Sequence, residues 1–211
     1  AQVAAEHGGP DVLANAVWGG HDAHASFDAQ MAAMGQPFWT DAARQWALTM
    51  GAGPHAYLLA SAHAARLMAA RKRGLIVGVT DFVFGDPAEA PKGGYMRGML
   101  YADLAHHCIN RLMLALSEEL KPSKVAVVTL MPGFMRTERV ERAMTSETLK
   151  KMFRYDLSET VLYVGRAVAA LAADRQAMAK SGRIHYVADL AAEYGFTDED
   201  GTRHPRFAPF G

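Results

Sequence analysis

The sequence has 211 residues, a length that suits one α/β domain because it can bury a single sizeable core. Its 22 lysines and arginines balance its 22 aspartates and glutamates and are dispersed, which argues against a nucleic-acid interface or an anionic membrane surface. The apolar runs are shorter than a membrane span, the first residues lack the order of a signal peptide, and the single cysteine, Cys108, excludes an internal disulfide. We therefore expect a soluble cytoplasmic protein whose partner is a small molecule.

Short apolar runs predict four strands along the chain. They are residues 11–17, 74–80, 124–131 and 183–188. Because the apolar positions in these runs are consecutive rather than alternating, we expect strands that are buried on both faces of a parallel sheet.

Helical periodicity lies between and after these strands. Residues 55–73 predict a helix with a basic last turn and Gly74 as its C-terminal cap, and residues 99–120 carry an apolar stripe at i, i+4 spacing. Asp156 and Glu159 have the spacing of a capping box in front of a further apolar stripe, which predicts a third helix.

Two segments are predicted to be loops. Glycine, proline and acidic residues interrupt both periodicities over 18–38 and 84–94. The alternation of strands and helices outside them predicts an α/β fold with a doubly wound parallel sheet and right-handed crossovers.

Three motifs, in a characteristic order, give the chain a family resemblance. An N-A-x-W-G-G turn occupies 15–20, the strand run at 75–81 ends on a polar residue, and P-G-x-x-x-T occupies 132–137. Together they resemble the short-chain dehydrogenase/reductase family from Ala1 to about Thr202, and in particular a bacterial branch with such a tryptophan-containing turn. The resemblance implies a Rossmann-like sheet and NAD(P)-dependent oxidation or reduction of a small alcohol or carbonyl compound.

The same motifs imply where the cofactor lies. In the family the first motif contacts the adenosine side of the cofactor, and the last approaches the nicotinamide carboxamide. The resemblance therefore implies that NAD or NADP is contacted by Asn15, Ala16, Pro132, Gly133 and Thr137. Two of these residues have a plainer interpretation, since Gly133 can serve only to make a turn and Thr137 can serve only to cap the following helix.

The first strands of the family and its glycine-rich T-G-x-x-x-G-x-G turn do not occur in this sequence. That turn normally receives the cofactor pyrophosphate at a helix N-terminus, and loss of the strands would leave one sheet edge unpaired. We therefore interpret residues 1–211 as a single domain that is incomplete at its N-terminus. The segment AQVAAEHGGPD resembles the two ends of one family helix, so we expect the nucleotide-binding half to belong to a longer protein.

The catalytic tyrosine and lysine of the family are replaced here. Aligned through the helix at 99–120, the tyrosine position falls on Ala102 and the lysine position on His106, and the nearest hydroxyl is that of Tyr101. Residues five apart on a helix differ by about 140° in direction, so Tyr101 and His106 converge only if Tyr101 precedes the first turn or a π-bulge intervenes. The serine position falls on Asp81, and the position of the family's helix asparagine falls on Gly53.

The candidate catalytic residues are therefore Asp81, Tyr101 and His106. If Asp81 reaches His106, its carboxylate would raise the pKa of the imidazole and make His106 a general acid near neutral pH. The alternatives are a catalytically silent binding or partner subunit and a cofactor-independent enzyme on the same fold. A metal site is not expected, because the H-D-x-H segment at 21–24 lies in a predicted loop and lacks the spacing of a zinc-binding helix.

The resemblance also implies self-association. Members of the family pair two long helices, here 55–73 and 99–120, with their copies across a twofold axis. Small residues on both helices permit close approach, so we expect a homodimer or a homotetramer.

Overall fold

A parallel sheet forms the centre of the molecule in a computed structural model that describes residues 2–20, 27–34, 36–80 and 98–207. The strands, in chain order, are β1 (Val12–Asn15), β2 (Gly74–Val79), β3 (Val125–Met131), β4 (Met135–Arg136), β5 (Glu159–Thr160) and β6 (Ile184–Tyr186). Four of them form the main sheet in the order β1-β2-β3-β6, and β4 pairs with β5 in a small second sheet; all the pairs are parallel. The four predicted strands and the α/β fold class are confirmed.

The helices surround this sheet. In chain order they are α1 (Gln2–His7), α2 (Phe27–Met34), α3 (Ala42–Met50), α4 (Ala56–Arg71), α5 (Leu100–Leu120), α6 (Glu138–Ala143), α7 (Glu147–Met152), α8 (Val161–Ala173) and α9 (Val187–Tyr194). Within the described ranges, no helix is long and apolar enough to cross a membrane.

Both faces of the sheet are covered, which explains the consecutive apolar positions of its strands. All seven residues of β3 are buried, and successive residues enter opposite cores because side chains alternate along a strand. Val128 packs in a core with α8 and α9, whereas Val127 packs in a core with α4 and α5.

The end of α4 corrects the sequence prediction. The helix ends at Arg71, and Lys72 takes the left-handed conformation with a φ of 52°. The amides of Lys72 and Arg73 donate to Ala69 O and Met68 O, at 3.1 and 3.2 Å. Gly74 is therefore not the cap; it begins β2, where it pairs with Val125.

A kink separates α3 from α4. Residues 51–55 form a π-helical turn in which Gly53 has non-helical angles (φ −119°, ψ −105°). Pro54 follows directly, and its missing N–H and its ring disfavour a regular helix at this point. The kink thus coincides with the position assigned to the family's helix asparagine.

Two further predictions from the sequence are wrong. The helix α8 begins after Thr160, whose hydroxyl accepts from the amide of Tyr163 at 3.3 Å, and not after a capping box at 156–159. Glu159 instead lies in β5 opposite Met135, so pairing across the chain decides its conformation. The predicted loop over 18–38 contains the helix α2, and the predicted loop at 84–94 lies outside the described residues.

Candidate active site

The candidate residues meet where β1, β2 and β3 end. Because these strands are parallel and adjacent, their C-terminal ends share one side of the sheet, which we call the carboxyl edge. Asn15 ends β1, Thr80 follows β2, and Pro132 and Gly133 follow β3. The carboxyl ends of the strands are where α/β sheets bind ligands.

The turn after β1 packs against the kink between α3 and α4. The amide of Gly19 donates to Ala52 O at 3.1 Å, and a Cβ on Gly19 would lie 2.2 Å from the Cβ of Ala52. Only glycine fits this contact. The ring of Trp18 then lies 3.2 Å from the place that a Cβ on Gly53 would occupy.

His106 lies beside this tryptophan. It is 5% exposed on α5, and its ring centroid is 4.2 Å from that of Trp18, with an interplanar angle of 33°. The adjacent His107 is directed elsewhere, with Nε2 3.5 Å from Asp103 Oδ1. His106, which is assigned to the position of the family lysine, therefore faces the turn that follows β1, near the carboxyl edge.

Tyr101 contacts a different segment. It lies in the first turn of α5, which begins at Leu100, and its hydroxyl donates to Phe38 O at 2.6 Å. His106 packs on Trp18 instead, as expected for residues about 140° apart around a regular helix. The described contacts do not bring Tyr101 and His106 together, and Asp81 lies outside the described residues.

Two buried polar side chains at the carboxyl edge have atoms without a hydrogen-bond partner. Asn15 Oδ1 accepts from the amide of Val17 at 3.3 Å, but Asn15 Nδ2 finds no acceptor among the described residues. The amide of Thr80 donates to Leu130 O at 2.8 Å, whereas its hydroxyl lacks a partner within the same part of the chain. Buried polar groups of this kind are uncommon unless a ligand or water completes them.

Tyr57 fixes the chain just before Thr80. Its side chain is 1% exposed, and its hydroxyl donates to Val79 O at 2.6 Å. Burial raises the pKa of this phenol above its usual range, so the hydroxyl stays protonated and remains a donor. No local pattern indicates this role, because Tyr57 is a single aromatic residue within a predicted helix.

The segment Pro132–Phe134, which we call the P-G turn, packs on a buried acid. Gly133 lies directly against the Glu159 carboxyl group, since a Cβ on Gly133 would lie 2.8 Å from Glu159 Oε2. Gly133 is therefore needed for close approach as well as for a turn. Thr137, the last residue of the motif, caps α6 by accepting from the amide of Val140 at 3.3 Å.

Known proteins resemble this chain in both sequence and fold. "Dehydrogenase/reductase SDR family member 1" from Homo sapiens is 29% identical over 208 residues, which cover 93% of this chain and 60% of that protein. The Mus musculus protein of the same name is 32% identical over 203 residues, covering 90% of this chain and 58% of that protein. In sequence and in fold the chain is similar to the short-chain dehydrogenase/reductase family. It spans about 60% of the length of these curated relatives.

Solved structures of dehydrogenases share this fold. A short-chain type dehydrogenase/reductase from Mycobacterium ulcerans is 20% identical, with a TM-score of 0.67 over 88% of this chain and 62% of that chain. A 7α-hydroxysteroid dehydrogenase complexed with NADH and 7-oxo glycochenodeoxycholic acid is 16% identical, with a TM-score of 0.63 over 95% of this chain and 67% of that chain. No family model matches the chain. At these identities the structures show the shared fold alone.

Polar groups without a partner among the described residues make the carboxyl edge suitable for a polar ligand such as the nicotinamide cofactor of the family. The unpartnered Asn15 Nδ2 and Thr80 hydroxyl are groups that a polar ligand would complete, and Ala16 is exposed beside them. Across the residues that the structure describes, no group of three histidines, cysteines or acids is placed to hold a metal.

Proposed function

We propose that this chain carries the substrate-reacting part of an NAD(P)-dependent oxidoreductase that acts on a small alcohol or carbonyl compound. The observation that carries the proposal is the pair of unpartnered polar groups, Asn15 Nδ2 and the Thr80 hydroxyl, at the carboxyl edge of a family fold. The family resemblance supports a nicotinamide cofactor. The substrate and the choice between NAD and NADP are further parts of the proposal.

The cofactor-contacting residues divide between the two ends of the carboxyl edge. Asn15 and Ala16 follow β1 and would contact the adenosine side, where Asn15 Nδ2 is a donor without an acceptor. Pro132 and Gly133 would form the wall beside the nicotinamide. The Thr137 oxygen accepts from Val140 N, so its hydroxyl hydrogen remains to donate to a carboxamide oxygen.

His106 is the proposed acid–base residue, with Asp81 as its partner. A bound nicotinamide would supply or accept the hydride. His106 would donate a proton to the substrate oxygen during reduction and remove it during oxidation. Asp81 follows Thr80 at the end of β2, and its carboxylate would stabilise the imidazolium form of His106. Tyr101 is the less favoured acid, because its hydroxyl donates to Phe38 O.

Cofactor titration of the full-length protein tests the proposal. NADH and NADPH are added separately, and saturable enhancement of nicotinamide fluorescence is expected for one of them. A panel of carbonyl and alcohol compounds then tests turnover. If neither cofactor gives saturable binding, the proposal of a nicotinamide-dependent enzyme is wrong.

A catalytically silent binding protein is the second candidate. The observations that favour it are the absence of a hydroxyl at Ala102 and the engagement of Tyr101 with Phe38. On this alternative, His106 and Trp18 form a packed polar–aromatic contact rather than a proton-transfer site. Saturable cofactor binding without turnover across the whole panel would favour it, whereas turnover that depends on His106 would exclude it.

Self-association through α4 and α5 accompanies either function. These helices expose large apolar side chains, namely Leu58, Leu59, Leu104 and Leu114. We expect a dimer or tetramer by light scattering at micromolar concentration. Leu104→Glu should shift it toward the monomer, because a charge would be buried at the interface. Leu162→Glu on α8 is the matched control, since Leu162 and Leu104 are both 42% exposed. A monomer in the unaltered protein contradicts the proposal.

A further inference from the structure

A buried acid next to the P-G turn has no part in the proposed chemistry. Glu159 is 1% exposed, and its Oε1 has no hydrogen-bond partner among the described residues. Glutamate is almost never this buried unless it is paired. A group so costly to bury calls for a structural reason.

Glu159 holds the P-G turn at two points. Its backbone amide donates to Phe134 O at 2.9 Å, and its carboxyl group lies directly against Gly133, where a Cβ would be 2.8 Å from Oε2. Glu159 also pairs with Met135 in the small sheet, so the strand that follows the turn is attached to the same residue. The peptide group after Phe134 is hydrogen-bonded to Glu159, and Gly133 packs against the carboxyl group of the same residue. One residue therefore fixes the direction in which the turn leaves β3.

A C-terminal segment, residues 198–207, covers the turn and holds Glu159 in place. Asp198 accepts from the amide of Thr160 at 2.9 Å and from the Thr160 hydroxyl, and its Oδ2 lies 2.9 Å from His204 Nε2. Asp198 and His204 are both buried. At the far end of the segment, the Cβ of Phe207 is 3.3 Å from the place of a Cβ on Gly133.

The charges around Glu159 oppose one another. Burial raises the pKa of Glu159 to about 7, the amide of Gly133 lowers it, the charge of Asp198 raises it and that of Arg136 lowers it. Tyr163 of α8 also faces this cluster, and His204 faces it through Asp198. Arg136 donates to Ser158 O at 2.9 Å, so this cation is held beside β5.

We propose that Glu159 is a positioning residue for the P-G turn, that it acts on the cofactor through Gly133, and that the segment 198–207 sets its geometry. The effect on the cofactor rests on the function proposed above; the effect on the turn does not. The Glu159 carboxyl group is a small polar group that fits directly against Gly133. Any side chain at position 133 would displace it.

Two variants test this contact directly in the full-length protein. Glu159→Gln keeps an acceptor oxygen for Gly133 but removes ionisation, whereas Glu159→Leu removes the acceptor at similar size. Glu199→Gln is the matched control, because Glu199 is an exposed glutamate in the same C-terminal segment. Glycine-selective ¹⁵N labelling gives the Gly133 amide signal and its hydrogen-exchange rate without any cofactor.

In Glu159→Leu, exchange of the Gly133 amide should accelerate at least about tenfold, because the carboxyl group beside it, which would accept a hydrogen bond from this amide, is lost. In Glu159→Gln, the exchange rate of the Gly133 amide should stay within about threefold of the rate in the unaltered protein, since the glutamine side-chain oxygen can still accept a hydrogen bond. The Gly133 signal should shift with pH near neutrality in the unaltered protein and in Glu199→Gln, but not in Glu159→Gln. NADH or NADPH should bind at least about tenfold more weakly to Glu159→Leu than to Glu159→Gln.

The outcomes separate the two proposals. A Gly133 signal that does not respond to pH and an exchange rate unchanged in Glu159→Leu would overturn the positioning role. If Glu159→Leu does not fold, the comparison of Glu159→Gln with the unaltered protein still decides through the pH response. Absence of cofactor binding in every form, with the Gly133 responses intact, would refute the proposed function and support the positioning of the turn.

Discussion

The two ends of the carboxyl edge differ in how completely their polar groups are paired. Around the P-G turn, Asp198 accepts hydrogen bonds from Thr160 and from the amide of Glu199, and it contacts His204. At the ends of β1 and β2, by contrast, Asn15 Nδ2 and the Thr80 hydroxyl lack partners among the described residues. The first region is organised largely by the chain itself, although Glu159 Oε1 also lacks a partner among the described residues. The second has the properties of a surface that a ligand completes.

Loss of the proposed pair of Asp81 and His106 should give the largest effect on activity. Asp81→Asn keeps the side-chain shape but removes the charge that would hold His106 protonated, so activity should fall at least about tenfold and by up to roughly 10⁴-fold. The alkaline limb of the pH–activity profile, near neutral pH, should also disappear. His106→Ala should lose as much, and the double variant little more, because the pair acts as one unit. Steady-state kinetics across pH provides the measurement.

The outcome also ranks the remaining residues. An unchanged pH profile in Asp81→Asn would leave Tyr101 or a silent site as the better interpretation. His106→Lys alone should not restore ordinary family chemistry, because position 102 still carries no hydroxyl. Ala102→Tyr combined with His106→Lys is the informative gain-of-function variant.

Glu159 should make stability depend on pH. Burial raises its pKa to about 7 in the folded protein, against 4.5 ordinarily, so the folded state retains a proton that the unfolded state releases. The free energy of unfolding should therefore fall as pH rises between these values, by up to about 3 kcal/mol from this group, and level off above them. Glu159→Gln should remove this slope. Urea unfolding at pH 5 and pH 8 measures it, and equal slopes in both proteins would contradict the assignment.

A matched pair of threonine substitutions contrasts the two regions. Thr160→Val removes the bond to Asp198 and the cap of α8, and should cost about 2 kcal/mol of unfolding free energy. Thr80→Val removes a hydroxyl that lacks a partner in the described structure, and should leave stability unchanged or raise it by about 1 kcal/mol. Thermal unfolding without ligand makes this comparison. Similar losses in both variants would argue against a ligand-completed region at β2.

The smallest effect is a fluorescence change. Trp18 stacks on His106, whereas Trp39 and Trp46 are 69% and 50% exposed, so Trp39→Phe with Trp46→Phe isolates the Trp18 emission. Protonation of His106 should quench this emission in a single titration that is absent in His106→Ala. Asp81→Asn should shift the midpoint to lower pH, because a carboxylate favours the imidazolium. A midpoint unchanged by Asp81→Asn would mean that Asp81 does not contact His106.

Local patterns determined much of the architecture. The apolar runs predicted all four strands of the main sheet, and the i, i+4 stripe predicted α5, because burial on two faces or along one stripe leaves a direct record in residue order. The Thr137 cap was readable for the same reason, since its hydroxyl contacts an amide only three residues away.

Only the tertiary structure decided the roles that depend on distant partners. Glu159 has the spacing of a helix cap, yet it pairs with Met135 and its carboxyl group packs against Gly133, the contacts from which we propose that it supports the P-G turn. Tyr57 reads as an ordinary helix residue until its hydroxyl is found on Val79 O. The sequence by itself indicated the family resemblance and the strands of the sheet, and it predicts the replacement of the catalytic tyrosine and lysine. It did not determine which side chains face one another, because those contacts join residues far apart in the chain and leave no periodic signal in it.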